Sequence, residues 1–306
     1  MFLNGLVLVT NLCWSAWGIF DKKALSSSRP RNVLLIQYLL ALPEFVLIIA
    51  YILLTEHQLT LNPNAIFWAA LGSATSTVAM IAYMVAMNRA EASYVLGITA
   101  SYPLVMQVLA TIFLGEHLVG NRLIGSALIA LGVFAIGQSD HAVHPPADAQ
   151  GEHVHDPATA RDRRIITICV IFATIGWGIH GLFDKIAVGY APPIVVMAAR
   201  CGLDVITSGL LLLGSRFMKM ELQLKRPETW KFCGFSSMCL WVGYICYLNA
   251  IKVSTASYVI VITGCYPLLM YIFALIFLRE QLNKKRLAGV SFVVLGGIVV
   301  QFTQGG

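Results

Sequence analysis

The chain has 306 residues, 58% of them hydrophobic and 12% charged, with a formal net charge of +6 and a mean hydropathy of +0.76. A soluble domain of this size carries about 25% charged residues, so a globular enzyme, a secreted disulfide scaffold and a disordered tail are excluded and an integral membrane protein remains. The apolar residues come in runs of roughly 18 to 24, the helix length that a hydrocarbon core of about 30 Å demands, without the strand-length alternation of a membrane β-barrel.

In chain order, the first run covers about 2–20. Its start, MFLNGLVLVTNLCW, lacks the basic region and cleavage site of a signal peptide, so it reads as a first helix of the mature chain. Runs follow at about 32–54, 65–88, 92–114 and 121–138. The segment 139–164 is polar, with Pro145 and Pro146 in tandem and His141, His144, His153 and His155; such His spacing can hold zinc weakly, but a solvated tether is expected, without a metal site. Five more runs occupy about 165–184, 192–214, 229–250, 255–278 and 286–302. The seven cysteines lie in or beside these runs and read as small hydrophobes.

The two sets of five are copies of each other. At an offset of 164, ASYVLGITASYPLVM from Ala92 pairs with ASYVIVITGCYPLLM from Ala256, and roughly half of the positions from Ala92 to Gly132 are identical to their partners. At offset 163, WSAWGIFDK (Trp14 to Lys22) matches WGIHGLFDK (Trp177 to Lys185). An odd number of spans per copy predicts an all-α membrane protein of ten helices in two inverted five-helix repeats, 1–138 and 165–306, joined by 139–164. Of the 21 Lys and Arg, 17 fall on the connections after spans 1, 3, 5, 7 and 9. Positive-inside then places the linker in the cytoplasm and both termini outside a cell (inner) membrane. The net charge is thus a topology signal and not a nucleic-acid surface.

The repeated halves, the patterns Trp14 to Lys22 and Trp177 to Lys185, and the turns Gly115-Glu116-His117-Leu118 and Arg279-Glu280-Gln281-Leu282 before a Gly-rich last helix resemble EamA-type members of the drug/metabolite transporter superfamily. Many such transporters place the N-terminus inside, and this chain departs from that by its charge count. The resemblance implies carriage of a metabolite or drug and no cofactor.

Ionisable groups at membrane depth are rare and point to function. Glu44 follows Pro43, which opens the second span, and a carboxylate there can hold a cation or proton. Arg200 and Asp204 are four residues apart on one helix face, as a self-neutralising ion pair or as a substrate-binding pair. Gln37 stands where the other copy has Arg200. His180 is a candidate proton carrier or a packing residue. Asp21, Lys22, Asp184 and Lys185 end the first span of each copy, as gate salt bridges or as snorkelling anchors. Trp14, Trp17, Trp177, Tyr102 and Tyr266 are expected on a cavity wall, with Tyr102-Pro103 and Tyr266-Pro267 as kinks that widen it. Aromatic faces beside Glu44 suit an amine.

The expected function is carrier-type transport of a small amine-bearing or zwitterionic metabolite by alternating access, with a proton or sodium as possible coupling ion. No nucleotide-hydrolysing motif is present and no enzyme is expected. The alternatives are a flippase for a lipid-linked or amphipathic substrate, or a drug exporter.

Overall fold

A computed structural model describes residues 2–55, 62–116, 120–137, 160–219, 222, 224–281 and 283–301, and their regular structure is helical throughout. In the first half, α1 (Phe2–Ser27), α2 (Pro30–Leu54) and α3 (Pro63–Met87) are followed by a broken pair, α4 (Ala92–Thr99) and α5 (Tyr102–Leu114), and by α6 (Gly120–Gly137). The second half repeats the order: α7 (Ala160–Tyr190), α8 (Pro193–Phe217), α9 (Pro227–Val253), then α10 (Ala256–Thr263), α11 (Tyr266–Phe273) with a π-helical turn at Ala274–Leu278, and α12 (Lys284–Gln301). Among the described residues seven segments are long and apolar enough to cross a membrane, one of them α4 and α5 together, and Gly120–Ile136 and Tyr266–Leu278 are shorter apolar helices.

Proline sets several of these starts. It occupies the first turn of α2, α3, α8 and α9, where its missing N–H costs nothing and its φ is already helical. The same chemistry breaks the fourth segment of each half, since Pro103 and Pro267 open α5 and α11 rather than merely kinking a continuous helix. Residues 139–159 of the expected tether lie outside the described residues, and α7 begins at Ala160, ahead of the predicted run from about 165, so that Arg161, Arg163 and Arg164 form its first turns.

Large apolar side chains such as Phe67, Phe113, Phe172 and Leu210 face outward. That surface would be an aggregation liability in water and is the proper contact with lipid tails. Contacts between the halves come in exchanged pairs: α1 packs along α9 as α3 packs along α7, α1 meets α11 as α7 meets α5, and α2 with α8 and α6 with α12 pair with their own counterparts.

The sequence motifs explain part of this exchange. Glu116 Oε1 accepts from the Ala256 N–H and Glu280 Oε1 from the Ala92 N–H, each at 2.9 Å. Each turn glutamate therefore caps the broken helix of the other half, where a carboxylate is favoured by the exposed N–H groups and the helix dipole. Lys22 Nζ donates to the carbonyls of Met87 and Ala90 (both 2.7 Å), and Lys185 Nζ to those of Ile251 (2.6 Å) and Ser254 (2.7 Å). Each Lys thus closes the C-terminal end of a neighbouring helix. Gly115 adopts φ +65°, and Arg279, at the matching turn, is held at φ 55°, a left-handed conformation that costs a non-glycine residue about 1–2 kcal/mol.

Arg286 is not a solvated topology charge. It is 1% exposed and paired with Glu91 at 2.6 Å and Glu280 at 3.5 Å, with Ser93 accepting from it at 2.5 Å. Burial pushes the Glu280 carboxyl above the usual carboxylate range, against the hydrogen bonds from Ser93 and Ala92.

The α6–α12 crossing depends on glycine. A Cβ built on Gly289 would lie 2.5 Å from the Gly132 carbonyl oxygen, one on Gly132 would lie 2.4 Å from that of Gly289, and one on Gly296 the same distance from that of Gly125. The pairing of 132 with 289 and 125 with 296 makes the two helices antiparallel. Helices in lipid associate by close packing of small residues rather than by hydrophobic drive. Gly289→Val is therefore expected to destabilise the fold by about 1–3 kcal/mol through overpacking. Gly189→Ala, where nothing lies within 4 Å, should change little; melting of both variants in detergent micelles checks the contrast.

Candidate functional site

Between the halves lies a cavity of about 190 Å³ whose wall includes Trp14, Trp17, Glu44, Tyr102, Trp177, His180, Arg200, Asp204 and Tyr266. These are the substrate-binding and coupling candidates of the sequence, drawn together from α1, α2, α5, α7, α8 and α11. The size suits a small metabolite better than a drug-sized ligand. Gln37, Tyr38, Trp241, Tyr244 and Tyr247 complete much of the lining.

The aromatic side chains brace one another. Trp14 meets Tyr247 at 5.5 Å, Tyr266 at 6.2 Å and Tyr102 at 6.5 Å between ring centroids. Trp17 packs on Tyr83 at 5.0 Å and on Trp177 at 5.7 Å. Three of these pairs are edge-to-face and two are tilted, and rings packed against one another in this way hold their geometry without a ligand, so the wall is preformed. Trp241 also lines a wider cleft with Leu47, Tyr51, Pro193, Val195 and Asn249, between the end of α2, the start of α8 and the later part of α9. Because Tyr51 shares that cleft with Pro193, and Phe45 approaches Gly202, α2 and α8 run antiparallel.

The charged groups sort differently from the four-residue spacing. Arg200 forms its ion pair with Asp184 of α7, Nη1 to Oδ1 at 3.0 Å, and not with Asp204. Its Nη1 lies 2.7 Å from His180 Nδ1, and His180 Nε2 is 3.1 Å from Asp184 Oδ2. An imidazole that accepts at Nδ1 and donates at Nε2 satisfies both neighbours. The guanidinium also stacks over Tyr244, 4.6 Å from its centroid. Asp204 accepts instead from Ser73 Oγ at 2.8 Å. Arg200 and His180 are thus engaged by the protein itself.

Glu44 is different. It lines the cavity, half-buried, with Asp204 as the charged group acting on it, and among the described residues no hydrogen bond or ion pair holds its carboxylate.

The Asp of each Phe-Asp-Lys triplet occupies the same place in its own half. Gln37 Nε2 donates to Asp21 Oδ1 at 2.6 Å, as Arg200 does to Asp184. Ser236 Oγ donates to Asp21 Oδ1 at 2.5 Å, and at the offset of 164 Ser236 is the repeat counterpart of Gly72, which faces Asp184. Neither Asp21 with Lys22 nor Asp184 with Lys185 makes an ion pair, since both lysines are turned to helix ends. Ser73, Ser236 and Gly-flanked Tyr244 carried no motif of their own. Only the repeat offset, which matches Gln37 with Arg200 and Asp21 with Asp184, points to the two clusters. No group of His, Cys, Asp and Glu among the described residues is placed to hold a metal ion.

Comparison with known proteins agrees with this architecture. A solved crystal structure of a protein superposes with a TM-score of 0.66 over 96% of both chains at 14% identity, which shows a shared fold. No curated protein matches. The model of the EamA-like transporter family matches residues 1–138 and again 164–302. With two family matches that together span nearly all of the chain, apolar helices long enough to cross a bilayer and a polar cavity between them, this chain belongs to the EamA-like transporter family and is a multi-pass membrane transporter of the drug/metabolite superfamily.

Proposed function

We propose that the protein is a carrier-type transporter for a small amine-bearing solute, working by alternating access between two inverted five-helix halves, 1–138 and 165–306, joined by the linker 139–164. The observation that carries this reading is Glu44: a carboxylate without a protein partner, facing an aromatic cavity in which the Arg200 cation is already engaged. A desolvated cation over Trp and Tyr faces gains about 2 kcal/mol or more, and a free carboxylate adds a charge-assisted contact. A zwitterion would have to compete with Asp184 for Arg200, so the amine end dominates recognition.

The exchanged contacts and the antiparallel runs of α2 with α8 and α6 with α12 support the inverted arrangement. The charge asymmetry supports an orientation with the α1–α2 connection and the linker in the cytoplasm and the termini outside, in a cell (inner) membrane. On that orientation the cleft beyond Trp241 opens outward, while the Asp21 cluster and the Trp17–Tyr83–Trp177 packing close the cavity inward.

A second reading, an amphipathic substrate or a flippase, draws on the apolar cleft with Leu47, Ile48, Val195 and Ile245 on its wall. Liposomes containing the purified protein distinguish the two. Uptake of radiolabelled primary and quaternary amines, competed by other amines and not by carboxylates, is the result expected of the carrier. Lipid scrambling without amine uptake would replace it with the flippase.

A further inference from the structure

The two halves differ in the partner of one buried carboxylate. Asp184 and Asp21 are both fully buried and occupy equivalent places. Asp184 is neutralised by Arg200 at 3.0 Å. Asp21 has Gln37 in that role, which supplies a hydrogen bond and no charge. Taking an ionised carboxylate out of water costs several kcal/mol even after relaxation, and hydrogen bonds from one amide and one hydroxyl return only part of that.

Among the described residues the surroundings of Asp21 supply no cation in that role. From α3, Tyr83 faces Asp21; from α9, Cys233 and Cys239 do so beside Ser236; α2 contributes Gln37; and Tyr266 of α11 stands behind Tyr83. Lys22, the adjacent residue, turns to the carbonyls of Met87 and Ala90. Among the described residues no Lys, Arg or His makes an ion pair with Asp21, and beside its buried Oδ2 stand only neutral groups, the Tyr83 hydroxyl and the Trp17 indole N–H. Gln37 both lines the cavity and donates to Asp21, so the carboxyl communicates with whatever occupies the cavity through this side chain, beside Trp17 on the same wall.

We infer that Asp21 is the coupling-proton site of this transporter, the proton taking the place that Arg200 fills in the other half, with Gln37 as the positioning residue that links it to the cavity. The step is a proton transfer alone. A proton from water adds to Asp21 Oδ2, forming an O–H bond and cancelling the carboxylate charge, and on release it returns to water with no electrons moved. Loading changes the charge of the cluster by one unit and weakens Asp21 as an acceptor for Gln37 Nε2, so the amide is freed to turn toward the cavity. His180, clamped between Arg200 and Asp184, has no such freedom.

The inference rests on the carrier reading for its use in transport, whereas the site itself is tested with the proton as probe and no substrate, so the two fail separately. Full-length protein reconstituted in lipid is titrated with pH while infrared spectroscopy follows carboxylic-acid C=O bands and a pH dye follows proton release. Asp21→Asn is expected to remove one C=O band and about one released proton per chain. Gln37→Arg, which copies the other half and leaves the aspartate in place, should do the same by holding Asp21 ionised, and Glu44→Gln should leave that band in place. Gln37→Arg keeps the test decisive if Asp21→Asn does not fold. Wild-type bands and proton count retained in the folded variants would overturn the inference. So would a band that sodium, in exchange for a bulky organic cation, displaces at constant pH, which would make Asp21 a sodium ligand instead.

Discussion

Arg200→Ala is expected to leave little folded protein. The substitution strips the counter-ion from Asp184, which is fully buried, and removes the donor that His180 Nδ1 accepts from. Breaking a buried pair from one side costs about 3–5 kcal/mol, far more than the pair contributes when intact, because an uncompensated charge remains in low dielectric. The first half shows what a tolerated arrangement without the arginine looks like, with Gln37 donating to a carboxyl that carries no ion pair. Arg200→Gln combined with Asp184→Asn should therefore recover most of the loss, by amounts that do not add. Fluorescence-detected size exclusion and melting in detergent measure both. A single variant that melts with the wild type would show that the cluster is hydrated and only loosely coupled to the fold.

How far the sequence reaches depends on the range of the interaction. The runs and the repeat are local patterns, so helices lie at each predicted segment and the Tyr-Pro dipeptides mark where the fourth segment of each half breaks. The cavity residues were legible for a related reason. A Glu or Arg in a run of Leu and Ile stands out because lipid tolerates it poorly, a Trp or Tyr away from a helix end stands out from the interfacial belt, and those residues meet on one wall.

Partners were not legible. Spacing on one helix favours Arg200 with Asp204, yet the fold offers Arg200 an aspartate on α7 and Asp204 a serine on α3. Arg286 reads as a surface charge until α4 brings Glu91 and Ser93 to it. The turn glutamates look like local motifs, but each serves the opposite half. In each case the deciding contact joins residues remote in sequence, and no window along the chain contains both.

Glu44→Gln separates recognition from stability. Among the described residues the carboxylate has no partner to lose, and Asp204 repels it. The folded state therefore loses nothing by the change, and the melting temperature should stay level or rise slightly. Binding should respond in the opposite sense. Removing one member of a desolvated charge pair typically costs 2–5 kcal/mol, so an amine probe such as tetramethylammonium should bind on the order of 100-fold more weakly, about 2.8 kcal/mol. Tetramethylammonium carries no exchangeable proton, so its loss reports the Glu44 charge and the aromatic wall rather than a hydrogen bond. The measurement is a ligand-dependent thermal shift, since a bound ligand raises stability with its concentration relative to Kd. Wild type and Glu44→Gln shifted equally by the same probe would place the amine elsewhere and remove the basis for the proposed substrate class. A shift lost in Glu44→Gln at an unchanged ligand-free melting temperature is what a recognition carboxylate predicts, and a purely structural residue cannot produce it.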